Sequence, residues 1–171
     1  MRFAIEVVES VRAHWPASKP LFVRFSVEDD AGWGPEQSVA LARILKPKGV
    51  DVIDCSSGGM RGSPVVSAGP VTYGYQVPYA ERLKRDADIM TMAVGLIVHA
   101  DQAEQILQDG RADLIALARE LLYNPNWLLP IIPMKGVRKS VHRVLSGAGI
   151  PGCGQGAGIP GIVIFFTEGS E

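Results

Sequence analysis

Four short apolar runs rich in β-branched residues, Leu21–Phe25, Val50–Ile53, Ile89–Val94 and Leu114–Leu117, recur along the first 117 residues with helical patterns between them. Runs with so little polar alternation read as strands buried on both faces, as parallel strands covered by crossover helices are. The intervening segments carry helix-end signals. Gly34-Pro35 puts a proline at a first helical position, Val39, Ala42 and Leu45 follow at helical spacing, and Pro47 with Gly49 closes the segment. Asp101-x-x-Glu104 has the form of a capping box ahead of Ala103, Ile106 and Leu107, and Gly110 is placed to end that helix. Ile5, Val8, Val11 and Trp15 form a stripe on a first helix, while Tyr79, Ala80 and Leu83 begin another. This alternation is the pattern of an α/β fold with a parallel sheet. A closed eight-stranded barrel takes about 250 residues, so four strands before residue 120 amount to half a barrel or a small open sheet.

After Leu129 the pattern decays. Lys135–Arg143 is basic and weakly amphipathic, and Gly147–Gly161 holds seven glycines in fifteen positions, with Ala-Gly-Ile-Pro-Gly repeated at Ala148–Gly152 and Ala157–Gly161. A poorly ordered tail is expected there. The charge balance, 17 basic against 18 acidic side chains, implies no nucleic-acid partner. No apolar stretch approaches the roughly 18 residues of a membrane span, the longest candidate being Ile162–Phe166. The N-terminal residues lack the pattern of a signal peptide, so a cytoplasmic location without membrane contact is the default expectation. Cys55 and Cys153 are too few and too far apart for a disulfide framework or a metal knuckle, and His14, His99 and His142 show no ligand spacing. No metal site is expected.

In α/β folds ligands collect at the carboxyl ends of the strands. Arg24 and Ser26 lie at the end of the first run. An arginine inside an apolar strand needs a partner, either an anionic ring or phosphate or a neighbouring carboxylate such as Asp54, and the residues alone leave the two equally open. The second run leads into Asp54-Cys55-Ser56-Ser57-Gly58-Gly59, small residues that let a ligand approach the backbone and offer hydroxyl donors. A plain turn would have the same composition. The third ends in Ala93-Val94-Gly95, where glycine can admit a phosphate to main-chain N–H groups. The fourth ends in Ala118-Arg119, where a short helix starts and Asn124-Pro125 stops it. Gly95 with Arg119 fits the phosphate site that β/α barrels build after their last two strands.

Taken as a set, Val23–Ser26, Gly49–Gly58, Gly74–Ala80, Ala93–Ile97 and Arg111–Leu114 with Ala118–Leu122 closely resemble the old yellow enzyme family, in its bacterial NADPH dehydrogenase subgroup of ene-reductases. The resemblance covers roughly residues 2–130 and the second half of the family's barrel. It implies a partial TIM (β/α)8 barrel, about four C-terminal β/α units, over residues 1–130, followed by the Gly-rich tail 131–171. It also implies non-covalent FMN, reduced by NAD(P)H, that passes hydride to an activated alkene such as an enone. Arg24 would sit at the flavin N1 and O2 edge, and Ser57, Gly95, Ala118 and Arg119 match positions that hold the ribityl chain and phosphate. Ala118 is often glycine in relatives, a small departure because a backbone N–H is what the position supplies. The family's histidine pair and tyrosine proton donor have no counterpart in this chain, so no catalytic residue is carried over and a truncated copy is expected.

Two function classes remain. One is an FMN oxidoreductase, active once the rest of the barrel is supplied. The other is an inactive fragment that binds flavin or phosphate weakly, or only associates with itself as a homo-oligomer through open strand edges. The G-x-G-x-x-G string Gly156–Gly161 contains Pro160 and precedes an apolar run, the reverse of a dinucleotide fingerprint. Tyr73, Tyr75 and Tyr79 could border a substrate pocket, but aromatics near a helix start more often pack against the core, and they receive no catalytic role.

Overall fold

A computed structural model describes residues 1–59, 71–127 and 161–164. The chain runs α1 (Arg2–His14), β1 (Phe22–Ser26), α2 (Pro35–Leu45) with a short 3-10 turn at Lys46–Lys48, β2 (Val52–Ser56), α3 (Val77–Ala87), β3 (Met90–Ala93), α4 (Ala100–Gln108), β4 (Leu114–Leu117), α5 (Arg119–Tyr123) and β5 (Gly161–Ile164). The strands form one parallel sheet in the order β1-β2-β3-β4-β5, with neighbours in sequence also neighbours in the sheet. No described helix is long and apolar enough to cross a membrane.

The core separates the two faces of the sheet. On one face Ile53, Cys55, Ala93, Ile115 and Leu117 join Val8, Leu41, Leu45, Leu83, Ile106 and other helix residues in a single buried cluster. On the other, Val52, Met92, Leu114 and Ala116, with Phe22, Met90 and Val94, form a second cluster that holds no helix residue among the described residues. A doubly wound sheet carries helices on both faces. Helices on one face and a strand-only layer on the other mark an open segment of a β/α barrel. The wall is the more heavily built face, since every helix from α1 to α4 contributes to it.

The helix ends follow the sequence with one correction. Pro35 opens α2 and the Gln37 side chain accepts the Gly34 N–H at 3.1 Å. Gly49, at φ +86°, closes the following turn, and a Cβ there would come within 2.7 Å of the Arg12 side chain. Gly110 ends α4 at φ +69°. The expected capping box at Asp101 and Glu104 does not form, because α4 begins at Ala100 with His99 as its cap. Gln102 does that work instead: its Oε1 accepts the Val98 N–H at 3.1 Å and its Nε2 donates to the Leu96 carbonyl at 3.1 Å.

Two strand readings also need correction. The second strand starts two residues later than its apolar run and continues through Asp54, Cys55 and Ser56, because Asp54 is buried with a cross-strand cation rather than exposed in a turn. β1 is not buried on both faces: it is the edge strand, half-buried apart from an exposed Arg24. β5 falls inside the segment read as an irregular tail, while the rest of that segment lies outside the described residues. The last glycine of the motif at 156–161 is the first residue of β5, so the motif leads into a strand, whereas a dinucleotide fingerprint leads out of one into a helix.

Candidate functional site

Register brings Arg24 opposite Asp54, and Asp54 opposite Met92, on the strand-only face. The Arg24 Nη1 donates to Asp54 Oδ2 at 2.6 Å and its Nη2 to Ser56 Oγ at 3.1 Å. Asp54 keeps only 7% of its side chain exposed, whereas Arg24 keeps 47%. The second Asp54 oxygen, Oδ1, is buried and has no hydrogen-bond partner among the described residues. Burial raises the Asp54 carboxyl above its ordinary range, and the adjacent guanidinium offsets only part of that. The two readings of Arg24 left open by the residues are thus compatible: it pairs with Asp54 and still presents a half-exposed cation beyond the strand end.

A cavity of about 430 Å³ opens at the carboxyl ends of the strands, in the range of roughly 300–1,000 Å³ typical of ligand pockets. Arg24, Ser57, Gly95, Ala118 and Arg119 all line it, from the ends of β1, β2, β3 and β4. Val94, Leu96, Ile97, Ala116 and Leu117 supply apolar wall, and Glu120 places a carboxylate beside Arg119. Ser26, considered alongside Arg24 from sequence, is absent from this lining, and its neighbour in register, Ser56, takes the place. Tyr75 lines the cavity as well, Tyr73 stacks edge-on with His99 at 5.3 Å, and Tyr79 donates to Glu28 Oε2 at 2.6 Å.

The main chain after β3 is unusual. Gly95 and Leu96 are consecutive left-handed residues, at φ +104° and +50°. A leucine in that region costs on the order of 1–2 kcal/mol and must be held by its surroundings. The Leu96 carbonyl accepts from Gly74 N at 3.2 Å and from Gln102 Nε2 at 3.1 Å. Trp127, buried, donates its indole N–H to the Val98 carbonyl at 2.9 Å and backs the same loop. This loop is therefore fixed from three sides, and it faces the cavity.

Sequence reasoning assigned no role to Gln76, although it lies within one of the quoted motifs. The side chain is buried and lines the cavity, and its Nε2 donates to the Ser57 carbonyl at 3.1 Å and to Ser57 Oγ at 2.8 Å. The only signal in the chain is a polar residue immediately before an apolar helix start, which is common to many helix caps.

The fold and the cavity define a class first: a β/α-barrel protein with a cofactor-sized, partly cationic pocket at its strand ends. The comparisons then name the family. The NADH:flavin oxidoreductase / NADH oxidase family matches residues 1–132, and the chain belongs to it. It is 48% identical over 128 residues to an NADPH dehydrogenase of Halalkalibacterium halodurans, covering 74% of this chain and 36% of that protein. An NADPH dehydrogenase of Geobacillus is 50% identical over 129 residues, with the same shares covered. One from Bacillus subtilis is 44% identical over 126 residues, 72% of this chain and 36% of that protein. The chain thus spans about a third of the length of the curated relatives it matches.

The cavity fits FMN in its chemistry. Apolar walls suit a ring system, Ser56 and Ser57 hydroxyls suit a polyol, and Arg24, Arg119 and the main chain around Gly95 suit anionic ends. α5 is a single short helix of five residues, so its contribution is the local N–H groups at Ala118 and Arg119 rather than a helix dipole.

Proposed function

We propose that this chain is the flavin-holding portion of an FMN-dependent NADPH oxidoreductase that reduces activated alkenes such as enones. One observation carries the reading: five residues, Arg24, Ser57, Gly95, Ala118 and Arg119, converge on a single cavity from four separate strand ends. When bound, FMN supplies the redox chemistry, accepting hydride equivalents from NADPH and delivering them to the alkene.

The chain's own residues bind and orient. Arg24 is held by Asp54 and Ser56, and its half-exposed guanidinium would face the N1 and O2 edge of a bound flavin, where it would stabilise the charge that grows on reduction. Ser57, Gly95, Ala118 and Arg119 hold the ribityl chain and phosphate. The apolar wall from Val94 to Ile97 and from Ala116 to Leu117 excludes water from one side of the ring. No side chain of this chain is assigned the proton transfer or the grip on the alkene carbonyl. Those tasks fall to the remainder of the barrel.

The test is a titration of the purified full chain with FMN, followed by flavin fluorescence, then a cyclohexenone assay with NADPH. Flavin binding without steady-state turnover is the expected result. Failure to perturb flavin fluorescence at any accessible concentration would remove the reading, and rapid turnover would show that the chain is catalytically self-sufficient.

Self-association with a second copy is a second reading supported by a specific feature. β1 is an edge of the sheet, and Phe3, Val7, Val11 and Trp15 are exposed along the helix beside it. Sedimentation at increasing concentration decides it: a single monomeric species throughout excludes it.

A further inference from the structure

Gly95 has a bare face, and Gln76 occupies it. A Cβ added at Gly95 would lie 2.7 Å from Gln76 Oε1 and 3.1 Å from both Gln76 Cβ and Cδ. The 2.7 Å approach is closer than real Cβ atoms come and the two at 3.1 Å are tight, so any side chain at position 95 would force the Gln76 carboxamide out of its place. The other end of the same carboxamide donates twice to Ser57, at 3.1 Å to the carbonyl and 2.8 Å to Oγ. Gln76 is only 3% exposed and opens α3 as its cap. One planar group thus touches the loop after β2, the loop after β3 and the start of α3.

We propose that Gln76 is a positioning residue that sets the distance and orientation of Ser57 relative to Gly95, and through them the seat for the phosphate end of the flavin. The proposal rests on the FMN reading above. It also changes the meaning of Gly95. Glycine is required there because the glutamine packs on its Cα and because φ is +104°; main-chain access for a phosphate is the result of that packing. The amide polarity matters. Ser57 offers a carbonyl that can only accept, so the group facing it must donate. The nitrogen side does so, and a carboxylate in its place would set two acceptors against each other and add a negative charge beside an anion site.

The test compares FMN with riboflavin, which lacks the phosphate, on wild type, Gln76→Glu and Gln76→Ala. Both flavins are titrated by fluorescence, with a thermal melt of each variant. The expected result is a loss of FMN affinity of about tenfold, the loss of one well-placed hydrogen bond to an anion, with riboflavin affinity nearly unchanged. In Gln76→Glu part of the loss returns at acidic pH, as the new carboxyl protonates and regains a donor. A purely structural role would weaken both flavins together with the melting temperature, and that result overturns the proposal, as does unchanged FMN affinity in both variants.

A second measurement needs no flavin. Because Gln76 and Gly95 compete for one volume, Gly95→Ala destabilises the wild-type chain more than it destabilises Gln76→Ala. Additive losses in that double-mutant cycle overturn the packing claim. A wild-type chain that binds neither flavin, yet shows the non-additive cycle, removes the FMN reading and with it the phosphate role, while leaving the packing intact.

Discussion

Replacing Arg24 by alanine strands a carboxylate. Asp54 has 7% of its side chain exposed, its Oδ1 has no hydrogen-bond partner among the described residues, and its Oδ2 loses the 2.6 Å bond from the guanidinium. Breaking a fully buried ion pair costs about 3–5 kcal/mol, whereas an exposed pair is worth about 0–1. Arg24 is 47% exposed, so solvent screens the pair and the expected loss at pH 7 lies between these limits, about 2 kcal/mol. The pH dependence has a definite sign. Burial already raises the Asp54 carboxyl above 3.8, with Arg24 the opposing influence, so its removal raises the carboxyl further. A carboxyl raised in the folded state stabilises fully below its unfolded value and loses that contribution as pH rises through the folded value. The Arg24→Ala penalty is therefore largest at neutral pH and shrinks as pH falls and the Asp54 carboxyl takes up its proton. Urea unfolding of the full chain at pH 7.5 and pH 4.5 reads this directly. Asp54→Asn in the same background, which removes the charge, should recover about half of the neutral-pH loss, since a neutral amide costs less to bury than an unpaired carboxylate. A loss that is equal at both pH values, or a double variant as unstable as the sum of the single ones, would refute the argument.

Other perturbations follow from individual contacts. The Thr91 hydroxyl is fully buried with no hydrogen-bond partner, so Thr91→Val should stabilise the chain by about 1 kcal/mol in urea unfolding; destabilisation would mean that the hydroxyl has an ordered-water partner. Asp113 accepts the Thr91 N–H at 2.9 Å through one oxygen and binds Lys84 at 2.8 Å through the other, so Asp113→Ala should cost about 1–2 kcal/mol while Lys84→Ala costs under about 1. Cys55 is buried, and burial followed by the Asp54 charge pushes its thiol up, out of the reactive range. In a Cys153→Ser variant, Ellman's reagent should therefore detect no thiol in the native protein and one after denaturation.

Much of the architecture was legible because local and global signals agree. The apolar run at 114–117 coincides with the buried strand β4, the run at 50–53 leads into the buried β2, and Pro35, Gly49 and Gly110 mark ends through backbone restrictions that hold wherever the chain goes. The errors came where a polar side chain has a distant partner. Asp54 was named as a possible partner of Arg24, thirty residues earlier, but its place inside β2 was not read, because only the register shows the two opposite each other. Asp101 looked like a cap because its spacing to Glu104 is right, yet Gln102, one residue on, reaches back over the Val98 turn and sets the helix start instead. The first difference rests on a cross-strand ion pair thirty residues apart, the second on side-chain bonds to the main chain four and six residues back, and periodicity encodes neither.

The site divides along the same line. Arg24, Ser57, Gly95, Ala118 and Arg119 were named from their places at or near strand ends and from the family resemblance, and the structure brings all five to the lining of one cavity. Gln76 was given no role, since its importance lies in a relation between two loops, with a donor turned toward Ser57 and bulk turned toward Gly95. The same relation explains why a left-handed glycine and a strained Leu96 persist side by side. The loop after β3 has to clear the glutamine, and Gly74 and Gln102 hold the displaced carbonyl at 3.2 and 3.1 Å once it has done so. The strain is thus stored where the cavity needs a fixed wall, and it is paid by contacts from α3's leading loop and α4's first turn, the two elements whose removal would let that wall relax.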